Sequence, residues 1–323
     1  MKAILYRKYG APDVFSLEEV AKPTPKNNEV LIKTYSTTVT SADCRVRSLN
    51  VPTGFGIIMR LVFGIFKPRQ PILGSELAGV IESIGNNVRK FKVGDAVFAF
   101  SDYSMGCYAQ YKCMPESGAI ALKPANLSFD ESAGLSFGAT TALSFFKKGN
   151  LQKGETVLIN GASGAVGIAA LQLARHIGAV VTAVCSTANV ELMRSLGADH
   201  VIDYSREDFT KNGQTYDVVL DAVGTASFAR SKSSLKEKGR LLMVLAGLPD
   251  MLKIPWVWIT SNKKIYAGSA SWRPEDLGFL ATMAEAGDFK SVIDRRYPFE
   301  QISEAHRYVD TGRKKGIVVV TLV

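Results

Sequence analysis

The chain has 323 residues, 46% hydrophobic and 21% charged, which excludes a disordered or fibrous polypeptide and leaves room for roughly two globular domains. Its formal net charge is +9, yet the basic residues are scattered without aromatic interleaving, so no nucleic-acid partner is expected and an anionic small ligand accounts for the sign as well. Four cysteines, none in a CxxC pair, exclude a disulfide framework and fit a reducing, cytoplasmic compartment.

The first stretch, MKAILYRKYG, lacks the long apolar run and small-residue cleavage site of a secretory signal. Up to about residue 125, short β-type runs alternate with turn residues: MKAILYR, EVLIKTYSTTV, LAGVIESIG, DAVFAF and CYAQYKCM. They predict a compact, mainly antiparallel β domain. Within it, GFGIIMRLVFGIF (54–66) is interrupted by Arg60 and is too short and too charged for a transmembrane segment. It reads as a buried loop or helix over a substrate cleft, with a membrane-surface or oligomer contact as the alternative. A lone carboxylate, Glu76, lies in LGSELAGVIESIG and raises the question of a metal.

From about residue 130 the rhythm changes. The strand ETVLI leads through NGASGAVG (160–167) into a helix with apolar residues at Val166, Ala169, Ala170, Leu173 and Ile177. VVTAVC, HVIDY, YDVVLDAV and RLLMVLAG read as strands, ANVELMRSLGA and SFARSKSSLKEKG as helices, and IVVVTLV as a closing strand. Strands alternating with helices predict βαβ units and a parallel sheet.

A bare glycine pattern is weak, but this one follows a strand, opens a helix and precedes a second strand, the context a dinucleotide site requires. Gly164 permits backbone to approach a pyrophosphate, Gly167 permits close helix–strand packing, and the helix N-terminus offers free N–H groups. Ala162 stands where the usual first glycine would be. An NAD site carries an Asp or Glu at the end of the second strand; here Cys185, Ser186 and Thr187 occupy that end, which favours NADPH over NADH.

The segments GSELAGVIESIGNNVRKFKVGDAVFAF, NGASGAVGIAALQLARHIGAVVTAV and MRSLGADHVIDY together resemble the medium-chain dehydrogenase/reductase superfamily, and within it the zinc-free quinone oxidoreductase branch. The resemblance implies an α/β protein: a GroES-like, β-rich catalytic domain (1–125, completed by 262–323) and a Rossmann domain (126–261) with a doubly wound parallel sheet that binds NADPH. It also implies a homodimer.

In zinc-dependent members the catalytic ligands include a cysteine where Thr40 stands and a histidine where Ser75 stands, and a separate four-cysteine lobe has no counterpart here. Hydroxyls do not replace thiolate and imidazole as zinc ligands, so no metal site is expected. Glu76 then becomes a structural carboxylate awaiting backbone N–H groups or a basic partner.

Carried over position by position, the resemblance implies a site. Thr40 approaches the nicotinamide side and positions the substrate. Thr141 lies near the nicotinamide end. Gly164, Ala165, Val166 and Gly167 meet the pyrophosphate. Ser186, Tyr204 and Arg313 line the adenosine ribose phosphate, and Val223, Leu245, Ala246 and Gly247 run along the ribose and nicotinamide. A lysine frequent a few residues after Ser186 is Asn189 here, and a tyrosine of related enoyl reductases is Val51. Tyr103 and Tyr108 are the tyrosines left to reach a cleft, although packing explains both.

The expected activity is zinc-independent hydride transfer from NADPH to a quinone or an α,β-unsaturated carbonyl. The alternatives are a zinc-independent alcohol or aldehyde oxidoreductase, and a dinucleotide-binding protein with little turnover. Loops around 44–66 and 250–275 are expected to line the acceptor.

Overall fold

A computed structural model describes residues 1–322. The chain divides into two compact units: Met1–Val51, Gly56–Phe137 and Trp272–Val323 form the first, Pro52–Phe55 and Gly138–Ser271 the second.

In the first unit, Val, Ile and Thr are concentrated in residues 29–38 and 317–321, where they suit a pleated, half-buried surface. β1 (Lys2–Tyr6) and β2 (Phe15–Glu19) form an antiparallel ribbon. β3 (Glu29–Thr38) is followed by helices α1 (Ser41–Ser48) and α2 (Gly56–Phe63), then by β4 (Glu76–Ile84) and β5 (Ala96–Phe100). β6 (Tyr111–Pro115), β7 (Ala119–Leu122) and the short helix α3 (Phe129–Ala133) follow. α4 (Ser136–Gly149) starts at the last residues of this unit and carries the chain into the second.

The second unit alternates strand and helix. In order come β8 (Thr156–Asn160), α5 (Ala165–Ile177), β9 (Val180–Cys185), α6 (Val190–Ser195) and β10 (His200–Asp203). Then follow β11 (Tyr216–Asp221), α7 (Phe228–Ser231), β12 (Leu235–Met243), α8 (Leu248–Thr260) and β13 (Lys264–Tyr266). All six strands are parallel, in the order β10-β9-β8-β11-β12-β13. The order reverses between β8 and β11, and in such sheets ligands bind beyond the carboxyl ends of the strands at that point. Leu158, Val219 and Leu241 fill the centre, fully buried, as a sheet covered on both faces requires.

The chain then returns to the first unit through α9 (Pro274–Glu285), β14 (Ile293–Pro298), α10 (Ile302–Asp310) and β15 (Ile317–Thr321). β15 pairs antiparallel with the end of β3, so the C-terminal strand joins a seven-stranded sheet begun more than two hundred residues earlier.

Two sequence expectations need correction. SFARSKSSLKEKG is helical only over Phe228–Ser231; from Leu235 the chain is strand, in register with Tyr216 of β11. Ser233 and Ser234 give their hydroxyls to the carbonyls of Thr210 and Phe209 (3.3 and 3.2 Å), and Leu235 is drawn into the core. The apolar run at 54–66 does form a helix, α2, but it is not buried: only Phe63 of the helix is inside, while Ile57 and Leu61 face outward, as does Phe66 just beyond it. A helix apolar on every side can bury one stripe and leaves the rest exposed.

Candidate functional site

The dinucleotide turn of the second unit is set by close backbone packing. Gly161 has φ +80°, and a Cβ at Gly167 would sit 2.3 Å from the Gly161 carbonyl oxygen and 2.6 Å from Ala162 Cα. Only glycine fits there. At Gly164, by contrast, a Cβ would meet nothing nearer than the Gly161 oxygen at 3.7 Å, so the face above it is open. Gly164 is the N-cap of α5 and provides no side-chain acceptor, and no acidic residue follows in the first turn. The N-terminus of this helix therefore keeps its donors and partial positive charge for a ligand at Ala165, Val166 and Gly167.

The neighbouring strand ends are braced by Asp221. Its Oδ1 accepts the side-chain N–H of Asn160 (3.0 Å) and the backbone N–H groups of Val223 (3.2 Å) and Gly224 (3.1 Å). Its Oδ2 accepts the N–H of Ala226 at 2.8 Å. This fixes the Val223 loop beside the glycine turn, since a Cβ at Gly161 would strike Val223 at 2.4 Å. Leu245 lies against Gly224, and Leu245, Ala246 and Gly247 lead into α8, whose first N–H, at Leu248, donates to the Thr53 carbonyl (2.8 Å). Thr141 lies three residues after Gly138, where α4 packs against Ala165 of the turn, and its hydroxyl is buried without a hydrogen-bond partner. Such an orphan is costly unless a ligand or water satisfies it, so these residues suit a dinucleotide.

At the far end of β9, Ser186 and Tyr204 come together: the Tyr204 N–H donates to the Cys185 carbonyl (3.0 Å), and Tyr204 is exposed. Asn189 turns its amide onto the Ser186 hydroxyl at 3.2 Å. Sequence reasoning missed Asp203, which β10 sets opposite Cys185. Its carboxylate accepts hydroxyls from Thr187 (2.5 Å) and Ser205 (2.7 Å), which hold its pKa below the ordinary value. A negative charge thus stands beside Ser186, tempered by Arg206 at 3.6 Å. Arg313 belongs to the first unit, exposed on the turn after α10.

In the first unit Thr40 caps α1 in a reciprocal box with Asp43. The Thr40 hydroxyl donates to Asp43 Oδ2 (2.6 Å), the Thr40 N–H donates to the same oxygen (2.9 Å), and the Asp43 N–H returns to Thr40 Oγ1 (3.0 Å). Asp43 Oδ1 and the Ser75 hydroxyl are buried without hydrogen-bond partners. Burial pushes the Asp43 carboxyl up to about 6, against the pull of the Thr40 contacts.

Behind this pair lies a network that no motif announced. His306 is fully buried; its Nε2 faces the Tyr108 hydroxyl at 3.0 Å and its Nδ1 faces Arg47 Nη1 at 3.2 Å. Burial, and then Arg47, push the His306 pKa well down, so the ring is neutral. Because guanidinium only donates, Nδ1 accepts and Nε2 carries the proton toward Tyr108. Tyr108 is thereby engaged by His306, and Tyr103 packs against Phe63 and Trp272, with ring centroids 6.0 and 6.2 Å away.

Glu76 is fully buried, and its partners are hydroxyls and a backbone amide. One oxygen accepts from the Ser136 hydroxyl (2.8 Å) and the Phe137 N–H, the other from the Thr38 hydroxyl. Burial lifts its pKa to about 7. Among the described residues no cluster of three His, Cys, Asp or Glu side chains has the arrangement of a metal site.

These features agree with what comparison with known proteins finds. A family described as the alcohol dehydrogenase GroES-like domain matches residues 26–124, and one described as zinc-binding dehydrogenase matches residues 196–320. The chain is 33% identical over 336 residues to a tomato (Solanum lycopersicum) 2-methylene-furan-3-one reductase, covering 99% of this chain and 79% of that protein. It is 32% identical, with the same coverage, to an NADPH-dependent alkenal/one oxidoreductase of Arabidopsis thaliana chloroplasts. The structure of the quinone oxidoreductase from Coxiella burnetii superposes with a TM-score of 0.88 at 26% identity, covering 100% of this chain and 99% of that one. With a GroES-like domain, a parallel dinucleotide-type sheet and relatives matched along nearly its whole length, the chain belongs to the quinone oxidoreductase branch of the medium-chain dehydrogenase/reductase superfamily.

Proposed function

We propose that the protein is a zinc-independent, NADPH-dependent reductase of quinones or α,β-unsaturated carbonyls. The observation that carries this reading is the identity of the groups around Thr40: hydroxyls at Thr40, Ser75 and Thr38 and carboxyls already engaged by them, while the Cys44 thiol and the His306 ring behind them are paired with each other at 3.2 Å. Such a set fits zinc poorly.

When bound, NADPH supplies the hydride. The first turn of α5 binds the pyrophosphate through backbone N–H groups, the Thr141 hydroxyl gains the partner it lacks, and the Asp221-braced loop holds Val223 along the ribose. Thr40 positions the acceptor, its hydroxyl held by Asp43 Oδ2. Without a Lewis acid to hold an alkoxide, the acceptor must spread its own negative charge, as a quinone or an enone does on gaining hydride. The names of the Arabidopsis and tomato relatives, which specify alkenal/one and furanone substrates, support the same class.

Ser186, Tyr204 and Arg313 are the proposed contacts of the 2′-phosphate, and Asp203 is the counterweight. A cytoplasmic homodimer completes the reading; β13, hydrogen-bonded to β12 alone among the named strands, has an edge that a second copy could pair.

The test follows loss of NADPH absorbance with a quinone, an enone and an aldehyde, each with and without a metal chelator. Chelator-resistant turnover of quinone or enone, with little aldehyde activity, is expected. Turnover of aldehyde that chelator abolishes would refute the metal-free reading.

A further inference from the structure

Three consecutive basic residues, Arg313, Lys314 and Lys315, precede the closing strand β15. Arg313 is exposed, but Lys314 is half-buried within the first unit. Strand pairing decides where it lies. β15 sets Val319 opposite Thr38, and the Val39 N–H donates to the Val318 carbonyl at 2.9 Å. The antiparallel register therefore brings the turn before β15 alongside the residue after Val39, which is Thr40.

Among the described residues the Lys314 ammonium has one hydrogen bond, to the Gly316 carbonyl (2.6 Å), and no ion pair. An ammonium carries three donors, so two are left over. Burial pulls Lys314 below its ordinary pKa, while Glu76, then Cys44 and Asp294, pull it back up. Two of those three border Thr40: the Cys44 N–H donates to the Thr40 carbonyl (3.2 Å), and Glu76 accepts the Thr38 hydroxyl. Arg47 is buried nearby but engaged by the Gly10 carbonyl (3.0 Å), His306 (3.2 Å) and Asp310 (2.7 Å). The Ser75 hydroxyl and Asp43 Oδ1 are likewise buried without hydrogen-bond partners. Donors left unpaired in such surroundings are costly until a partner arrives. A fixed positive charge repels a metal ion and draws a carbonyl oxygen that is turning negative.

We propose, resting on the reductase activity set out above, that the Lys314 ammonium donates to the carbonyl oxygen of the acceptor beside Thr40. As hydride adds to the acceptor, an electron pair moves onto that oxygen. Lys314 holds the oxygen by a charge-assisted hydrogen bond and stays protonated, and the proton that neutralises the product comes from water. A quinone or enone spreads most of the charge; the ammonium stabilises the share that stays on oxygen. A cation placed by the fold thus takes the part of a Lewis acid.

Three substitutions grade the interaction. Lys314→Arg keeps the charge, Lys314→Gln keeps a donor without charge, and Lys314→Met keeps neither. At saturating NADPH, kcat/KM for a quinone and for an enone should fall in that order, staying within about fivefold for Arg and dropping about thirtyfold for Met. NADPH affinity by fluorescence titration should not move. The melting temperature should hold, because burial opposes the ammonium. Lys315→Met should leave acceptor turnover and NADPH affinity as in the parent. A parent that reduces neither acceptor defeats the reductase reading and this role for Lys314 with it. A parent that reduces them, with Lys314→Met and Lys314→Gln equally active, overturns the role of Lys314 alone. So does NADPH affinity lost in step with activity, which would put the ammonium on a cofactor phosphate instead.

Discussion

Glu76 accepts the backbone N–H of Phe137, so a buried carboxylate on β4 holds the first turn of α4, the helix that leaves the first unit. The remaining lone pairs take the hydroxyls of Ser136 and Thr38. Replacing Glu76 by Ala removes the acceptor that these three donors share and opens a void, and should cost about 2–4 kcal/mol. Gln costs less, because Thr38 can turn its hydroxyl to accept from the new amide. Denaturant unfolding of the three proteins checks the order; Ala and Gln behaving alike would deny the carboxylate this role.

The same carboxylate makes stability depend on pH. Its pKa rises from the ordinary 4.5 to about 7 on folding, because burial disfavours the charge. The folded state therefore binds the proton more tightly than the unfolded chain. Stability from this group is fully present below about 4.5, falls as pH rises through about 7, and levels off above. Asp43 acts with the same sign, up to about 6. Glu76→Gln should remove the part of the fall between about 6 and 7 on a plot of unfolding free energy against pH, and an unchanged slope there would contradict the assignment.

The glycine turn separates folding from binding. Gly167→Ala drives a methyl into the Gly161 carbonyl and Ala162 backbone, neither of which can yield cheaply. It should lower stability by about 2 kcal/mol or more, the usual scale for overpacking. Gly164→Ala meets no protein atom closer than 3.7 Å and should leave the melting temperature nearly unchanged. Its methyl nevertheless occupies the approach to the α5 N-terminus, so NADPH affinity should fall about tenfold, roughly 1.4 kcal/mol. Equal affinity in a fluorescence titration would remove the pyrophosphate from this turn.

What the sequence made legible were features imposed locally by backbone. The strand–NGASGAVG–helix order is such a feature, because only glycine survives at 167. The Asp203 charge beside Ser186 was not legible, since it depends on the register of β10 against β9. Nor was the Tyr108–His306 contact, made across 198 residues. The apolar run of α2 misled for a related reason: hydropathy records what a side chain prefers, and exposure depends on which stripe the rest of the fold covers.

Asp203 and Ser186 together set the proposed cofactor preference. Ser186→Asp adds a second charge where a 2′-phosphate would lie and should move selectivity from NADPH toward NADH. Asp203→Asn keeps one acceptor for the Thr187 and Ser205 hydroxyls but removes the existing charge, and should tighten NADPH about fivefold relative to NADH. The ratio of kcat/KM for the two cofactors measures both. If neither substitution moves the ratio, the 2′-phosphate does not lie at the end of β9.

Thr40 has two tasks that one pair of substitutions can separate. As N-cap of α1 it accepts the Asp43 N–H, and loss of that cap in Thr40→Val should cost about 1 kcal/mol. As the proposed positioning group it offers a hydroxyl whose direction is fixed by the 2.6 Å bond to Asp43. Thr40→Ser keeps the hydroxyl and the cap, so both stability and turnover should stay within about twofold of the parent. Thr40→Val should lower kcat/KM for the acceptor about tenfold, a barrier increase of roughly 1.4 kcal/mol, while NADPH affinity is retained. A Val variant that loses stability but not turnover would assign Thr40 to the helix cap alone.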